Sequence, residues 1–249
     1  MILQAQDLPV RFGGQAAVDG VTCEFRPGTL TAIVGPNGAG KTTFFNLLSG
    51  QIRASAGAVR LDGRRITHLS AARRARLGLG RAFQLTNLFP DLPVRENVRL
   101  AVQARAGAGW SALRLASDLP ALADRADAVL ERVRLAGRAR TPAALLSHGD
   151  QRKLEVALLL ALEPGVFMFD EPTAGMSVDE VPVVLDLIEE IRADRTKTVL
   201  LVEHKMDVVR RLADRVVVLH NGRLVADGAP ADVVASAVVQ EAYLGVRAA

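Results

Sequence analysis

Gly35-Pro36-Asn37-Gly38-Ala39-Gly40-Lys41-Thr42-Thr43 is the stretch of this chain that decides its fold. It matches G-x-x-x-x-G-K-[ST] and follows a short, continuously apolar run, Leu30–Val34. Residues 42–49 then have helical spacing, with Gly50 placed to end the helix. An apolar run with no polar alternation suits a strand buried on both faces of a parallel sheet. Each part of the loop has a chemical task. The glycines let the backbone curl so that several N–H groups point at phosphate oxygens, and the helix start adds the positive end of its dipole. Lys41 brings a point charge to the β- and γ-phosphates, and the Thr42 hydroxyl can ligate Mg²⁺. A chance lysine in a glycine-rich turn would not also have the strand before it and the helix after it.

On the N-terminal side, residues 8–12 and 21–25 are apolar-rich, separated by Gly13-Gly14 and Asp19-Gly20, which reads as antiparallel β with turn glycines. Residues 59–61 with Asp62-Gly63 read as another strand and turn. From about residue 85 to 162 the pattern changes. Residues 94–106 and 124–133 fit amphipathic helices, residues 107–120 are irregular, and no strand pattern stands out, so a helical insert is expected. Strand character returns at 166–169, Thr198–Val202 and 216–220, alternating with helices over 178–193 and 206–213. Ser177 with Glu180 three residues on forms a capping box, and Asn221-Gly222 is a hairpin turn signal. Strand–helix alternation predicts a mostly parallel sheet flanked by helices.

Composition sets limits. The chain has 249 residues, 49% of them apolar and 23% charged, an ordinary globular balance. Its one cysteine, Cys23, excludes an intrachain disulfide. The N-terminal MILQAQDLPV has no basic segment leading into an apolar one, so no secretory signal is expected. The longest apolar run, 156–162, is far short of the ~20 residues that span a bilayer. Net charge is +4 and almost wholly arginine, the only lysines being Lys41, Lys153, Lys197 and Lys205. That balance admits an anionic partner such as nucleotide, nucleic acid or lipid headgroups. The ten aromatics (eight Phe, Trp110 and Tyr243) do not interleave with basic residues as in a single-strand binder, which favours nucleotide over nucleic acid.

A second motif fits the first. Residues 166–169 run into Asp170-Glu171. An acidic residue ending a strand beside a phosphate loop can hold Mg²⁺, and the next carboxylate can take a proton from attacking water. Between the two motifs lies Leu146-Ser147-His148-Gly149-Asp150-Gln151-Arg152, followed by a helix and Pro164. This resembles the Leu-Ser-Gly-Gly-Gln signature of ATP-binding-cassette (ABC) ATPases, and the resemblance runs from about Ile2 to Gly245. It departs at His148, where the family has Gly, and at Asp150, where it has Gln. Ser147 and Gly149 are kept, so a hydroxyl and backbone N–H groups at a helix start remain for a γ-phosphate.

The resemblance implies a fold of the P-loop NTPase type, α/β with a mostly parallel sheet flanked by helices, an N-terminal antiparallel β subdomain and a helical insert. It implies one domain over 1–249, with a nucleotide-binding core at 1–84 and 163–249 and a helical subdomain at 85–162. ATP and Mg²⁺ are the implied cofactors. Glu171 is the implied general base, His204 the switch histidine donating to the γ-phosphate, and Gln84 a Q-loop glutamine reaching Mg²⁺ or the attacking water. Phe12 resembles the aromatic that stacks on adenine, although before a Gly-Gly turn it could equally fill the core. Ala174-Gly175-Met176-Ser177 occupies the D-loop, with Ser177 where the family often has Asp. Phe83-Gln84-Leu-Thr-Asn-Leu-Phe-Pro, Thr173-Ala-Gly-Met176 and Glu241-Ala-Tyr-Leu-Gly245 look like the ATPase subunits of branched-chain amino-acid importers, and urea and short-amide importers are similar. That implies permease subunits, a second ABC ATPase subunit (the same chain or another) and, indirectly, an extracytoplasmic solute-binding protein as partners. It implies no nucleic acid, and a cytoplasmic place on the inner face of the plasma membrane. A soluble assembly factor of the iron–sulfur type shares the nucleotide motifs but not the importer-like details. Nucleic-acid ATPases of the class carry two cassettes or a long coiled-coil insert, and this chain has neither.

Overall fold

The structure, a computed structural model, describes residues 1–82, 88–107, 112–236 and 239, with backbone alone for 112–119. Contacts divide the chain into two compact units, one of 1–81, 165–171 and 189–249, the other of 82–164 and 172–188.

The first unit holds two sheets. In the smaller, β1 (Leu3–Phe12) pairs antiparallel with β2 (Gln15–Phe25) and with β4 (Ala58–Leu61), which pairs with β5 (Arg64–Arg65). Asp19-Gly20 is not a turn, as the sequence pattern suggests, but lies within β2, where Gly20 takes a φ of 68° and the register with β1 shifts. A bulge absorbs the positive φ while the ladder continues on either side. The larger sheet has the order β10–β9–β3–β8–β7–β6, from β10 (Arg223–Gly228), β9 (Arg215–His220), β3 (Leu30–Val34), β8 (Thr198–Val202), β7 (Val166–Asp170) and β6 (Leu79–Ala82). β9, β3, β8 and β7 are parallel, and β10 returns antiparallel through Asn221 and Gly222, both at positive φ.

Alternation along these strands divides the core. Ile33, Val217 and Leu219 join one cluster with Phe44 and Phe45 of α1 (Lys41–Ser49) and the inner face of the small sheet. Ala32, Val34, Val216 and Val218 point the other way, against Val209 of α7 (Met206–Leu212) and Val233 of α8 (Pro230–Ala235). Both faces are covered, which is why every residue of β3, β7 and β8 is buried.

The C-terminal end of α1 is closed by an arginine. Arg74, on α2 (Ala71–Arg76), is buried and donates from Nη1 to the Leu47 and Leu48 carbonyls, from Nη2 to Thr67 and from Nε to Leu69. Gly50 caps the helix at φ 82°, and a Cβ there would meet Arg74 Nε at 2.7 Å, so both the conformation and the close approach need glycine.

The second unit is helical. α3 (Val94–Arg105) packs on both α4 (Ala112–Arg132) and α5 (His148–Leu162), and α4 packs on α5. Val94, Val98 and Val102 form the buried stripe of α3. The stretch expected to be irregular, 107–120, is helical from Ala112, and α4 carries Pro120 within it. One missing backbone donor did not end a helix that packs on two others. The expected helix 178–193 is α6 (Val181–Ala193), three residues shorter at its start, and Pro182 falls in its first turn. Before it, the Ser177 carbonyl accepts from the N–H groups of Glu180 and Val181, and Ser177 Oγ donates to Glu180 Oε2 at 3.0 Å. Half of the capping box is kept, since the Ser177 N–H donates to Glu180 Oε2 at 3.4 Å, and half is altered. The serine hydroxyl gives its hydrogen to the glutamate instead of accepting one from the backbone.

Candidate active site

The loop 35–40 connects β3 to α1 by a path that only glycine permits at two points. At Gly35 (φ 152°) a Cβ would lie 2.2 Å from the Leu219 carbonyl oxygen, and at Gly40 (φ 97°) 2.3 Å from that of Ala17. Gly40 is also the N-cap of α1, and no side chain caps that helix start. Its first N–H groups are the donors that an anion would satisfy. Lys41 is buried, and Nζ donates to the Gly35 carbonyl at 2.7 Å and the Pro36 carbonyl at 3.0 Å, leaving one of its three hydrogens. Burial pushes the Lys41 ammonium below the usual lysine range, and the charges of Glu171 and Asp170 pull it part of the way back.

A cleft of about 560 Å³ opens over this loop, lined by residues 37–43 with Phe12, Gln15, Glu171 and Asn221. Phe12 is 53% exposed, so it does not fill the core; it presents a ring to the cleft. Thr42 is exposed in the same wall.

Glu171 follows β7 with a φ of 48°, a left-handed conformation costly for a side-chain-bearing residue, and its N–H donates to the Val202 carbonyl at 3.0 Å. His204 Nδ1 stands 3.6 Å from Glu171 Oε1 and 3.4 Å from Glu203 Oε2. Glu203, which sequence reasoning missed, is buried and accepts the backbone N–H of His204 at 2.7 Å and of Lys205 at 3.3 Å. It fixes the turn that carries the histidine. Its place between the end of β8 and the histidine was visible in the sequence, but its burial was not.

Asp170 ends β7, buried. Oδ2 accepts from Arg81 Nη2 at 2.7 Å, and Oδ1 is buried with no hydrogen-bond partner. A bare carboxylate oxygen one residue from the cleft wall and in electrostatic reach of Lys41 is the donor chemistry of a hard divalent cation. Among the described residues no three His, Cys, Asp or Glu side chains cluster as a metal site of their own. Gln84 lies outside the described residues.

In the helical unit, Ser147 is the N-cap of α5, and its hydroxyl accepts the Asp150 N–H at 3.1 Å. Asp150 in turn pairs with Lys153 at 2.8 Å. Gly149 has the Glu180 carboxylate so close that a Cβ would stand 2.1 Å from its oxygen, and Gly175 (φ 72°) packs on the His148 ring, 2.7 Å from where a Cβ would be.

Residues 18–174 of the chain match the family described as ABC transporter. The chain belongs to the ABC transporter family. Its last residues, 223–249, match a second family, described as branched-chain amino acid ATP-binding cassette transporter. Among curated relatives, the high-affinity branched-chain amino acid transport ATP-binding protein LivG of Escherichia coli is 37% identical, covering 98% of each chain. BraF of Pseudomonas aeruginosa, with the same description, is 36% identical over the same shares. The crystal structure of a nucleotide-free ATP-binding cassette from an ABC transporter superposes with a TM-score of 0.82 at 28% identity, covering 98% of this chain and 99% of that one. As a cassette of this family the chain is an ATP-binding ATPase, and none of the helices among its described residues is long and apolar enough to cross a membrane.

Proposed function

We propose that this chain is the ATP-hydrolysing subunit of an importer for branched-chain amino acids or a related small polar solute, seated on the cytoplasmic face of the plasma membrane beneath permease subunits that a solute-binding protein serves. The observation that carries the ATPase half of this reading is the cleft itself: an uncapped helix start, a buried lysine and a carboxylate held at positive φ meet in one wall. The importer half rests on the names of the relatives.

In this reading Phe12 stacks on the adenine. The N–H groups of residues 38–43 and the third hydrogen of Lys41 receive the phosphates. Thr42 and Asp170, with Gln84, would hold Mg²⁺, which when bound neutralises charge across the β- and γ-phosphates. Glu171 takes the proton of the attacking water, and His204 donates to the γ-phosphate. Ser147 and Gly149 act on the nucleotide of a second cassette, so that ATP favours a closed pair and hydrolysis releases it.

Glu171→Gln keeps shape and hydrogen bonding but removes the proton acceptor. With ATP it should bind without cleaving and accumulate as a dimer by size-exclusion chromatography with light scattering, supplied with its partner cassette if that is a different chain. Adding Ser147→Arg should return a monomer that still binds ATP. Undiminished hydrolysis at this chain's own loop in Glu171→Gln defeats the general-base role. A double variant that still dimerises defeats the shared site.

A further inference from the structure

Arg81 lies in β6, three residues before Gln84, with its side chain 6% exposed. Its guanidinium is held on three sides. Nη2 donates to Asp170 Oδ2 at 2.7 Å. Nη1 donates to Asn46 Oδ1 at 2.7 Å and Ser49 Oγ at 2.8 Å, with a longer contact of 3.3 Å to Gln51 Oε1. The plane lies over the Phe45 ring, 4.9 Å from its centroid. Phe45, Asn46 and Ser49 all belong to α1, the helix that begins at Lys41. A single planar fork therefore joins the phosphate-loop helix to the carboxylate at the end of β7.

Burying such a pair contributes little net stability, because the desolvation of two charges offsets their attraction. What the fork does fix is direction. Oδ2 is taken, and Oδ1 is the oxygen left without a partner. A carboxylate released from this hold would have Lys41 within electrostatic reach as an alternative partner.

We propose that Arg81 is a positioning residue for metal binding: by holding Oδ2 of Asp170 against α1, it keeps Oδ1 as the oxygen presented to a divalent cation. This rests on the reading of Asp170 as a Mg²⁺ ligand. The role needs two nitrogens in one plane, one for Asp170 and one for α1, so a lysine, which keeps the charge but has a single nitrogen, cannot fill it.

The test uses Mn²⁺ as the probe, titrated by electron paramagnetic resonance into the full chain loaded with a non-hydrolysable ATP analogue. Analogue affinity is measured separately in EDTA. Arg81→Lys and Arg81→Met should each weaken Mn²⁺ about tenfold, the usual effect of losing a residue that orients a ligand. Ser49→Ala, which removes one anchor and leaves the Asp170 contact, should weaken it about threefold. In all three the metal-free analogue affinity should stay within about twofold, which general damage to α1 would not allow. If Arg81→Met fails to fold, Arg81→Lys and Ser49→Ala carry the test. Wild-type Mn²⁺ affinity in Arg81→Lys would show that charge alone suffices and overturn the proposal. So would tighter Mn²⁺ binding in Arg81→Met, or an equal loss of analogue affinity in EDTA. Asp170→Asn separates the two levels. If it binds Mn²⁺ normally, the metal reading of Asp170 falls and the role of Arg81 with it. If it binds weakly while the Arg81 variants bind normally, the role of Arg81 alone falls.

Discussion

Replacing Arg74 by methionine keeps the side-chain stem and removes the guanidinium that closes α1. Two opposing terms set the outcome. Burial lowers the Arg74 pKa from the usual arginine range to about 10, which corresponds to roughly 3 kcal/mol of desolvation that the variant regains. Against this stand four donor contacts to the carbonyls of Leu47, Leu48, Thr67 and Leu69, at about 1.5–2 kcal/mol each, the low end for a charged donor because Leu47 and Leu48 share one nitrogen. The carbonyls of Leu47 and Leu48 are among the last of α1, with no later turn to take them. Among the described residues Arg74 has no carboxylate partner, so the variant leaves orphaned acceptors and no orphaned charge. The balance is a loss of roughly 3–5 kcal/mol, about 10 °C in melting temperature for a chain of this length. Calorimetry and urea titration of the variant against wild type read it, and Arg74→Lys should recover only part. Nucleotide affinity measured well below the melting range should change less than about threefold, since the far end of α1 is untouched. A loss below about 1 kcal/mol would mean that water replaces the guanidinium without cost and would refute the reasoning.

Two further predictions concern the cleft and the core. Phe12→Ala should raise the Michaelis constant for ATP roughly tenfold through lost stacking while costing under about 1 kcal/mol in stability, because the ring is already half exposed; an unchanged constant in steady-state kinetics defeats the stacking role. The Cys23 thiol is pushed up to about 11, chiefly by burial, with Arg215 opposing, so the native protein keeps a proton that the unfolded chain releases from about pH 9. Stability is therefore full below pH 9 and should fall by about 2–3 kcal/mol as pH rises to 11, a slope that Cys23→Ala removes in denaturant titrations at several pH values.

What the sequence made legible was what is local. The loop 35–43, the strands buried on both faces and the turn at 221–222 each declare themselves within a few residues, because steric and burial rules act at that range. Asp19-Gly20 misled because a positive-φ glycine serves a turn and a bulge equally well, and the pairing with β1 decides between them. Pro120 misled because the packing that carries α4 past it comes from α3 and α5, distant in sequence. Arg74 and Arg81 were invisible for another reason. In a chain this rich in arginine, a buried guanidinium looks like any surface one until the carbonyls and the carboxylate around it are placed. Around the cleft, residue types could be assigned from the motifs, but the hold of Glu203 on the turn at His204 depends on a burial that no spacing rule reports.

The contact of His148 with Gly175 ties two positions that are far apart in the chain. With the exposed His148 imidazole where it stands, a side chain at 175 would have to displace the ring, and at a φ of 72° it would be strained even then. A substitution at 175 therefore carries two costs, of which a change at 148 removes only one. The reverse order is open: a lineage that first reduces 148 to a small residue gains space at 175, though the left-handed backbone there still narrows the choice of side chain. At Gly149 a side chain would likewise have to move a carboxylate, that of Glu180, thirty-one positions away. A signature stretch moved between relatives therefore brings with it a demand on the residues at 175 and 180.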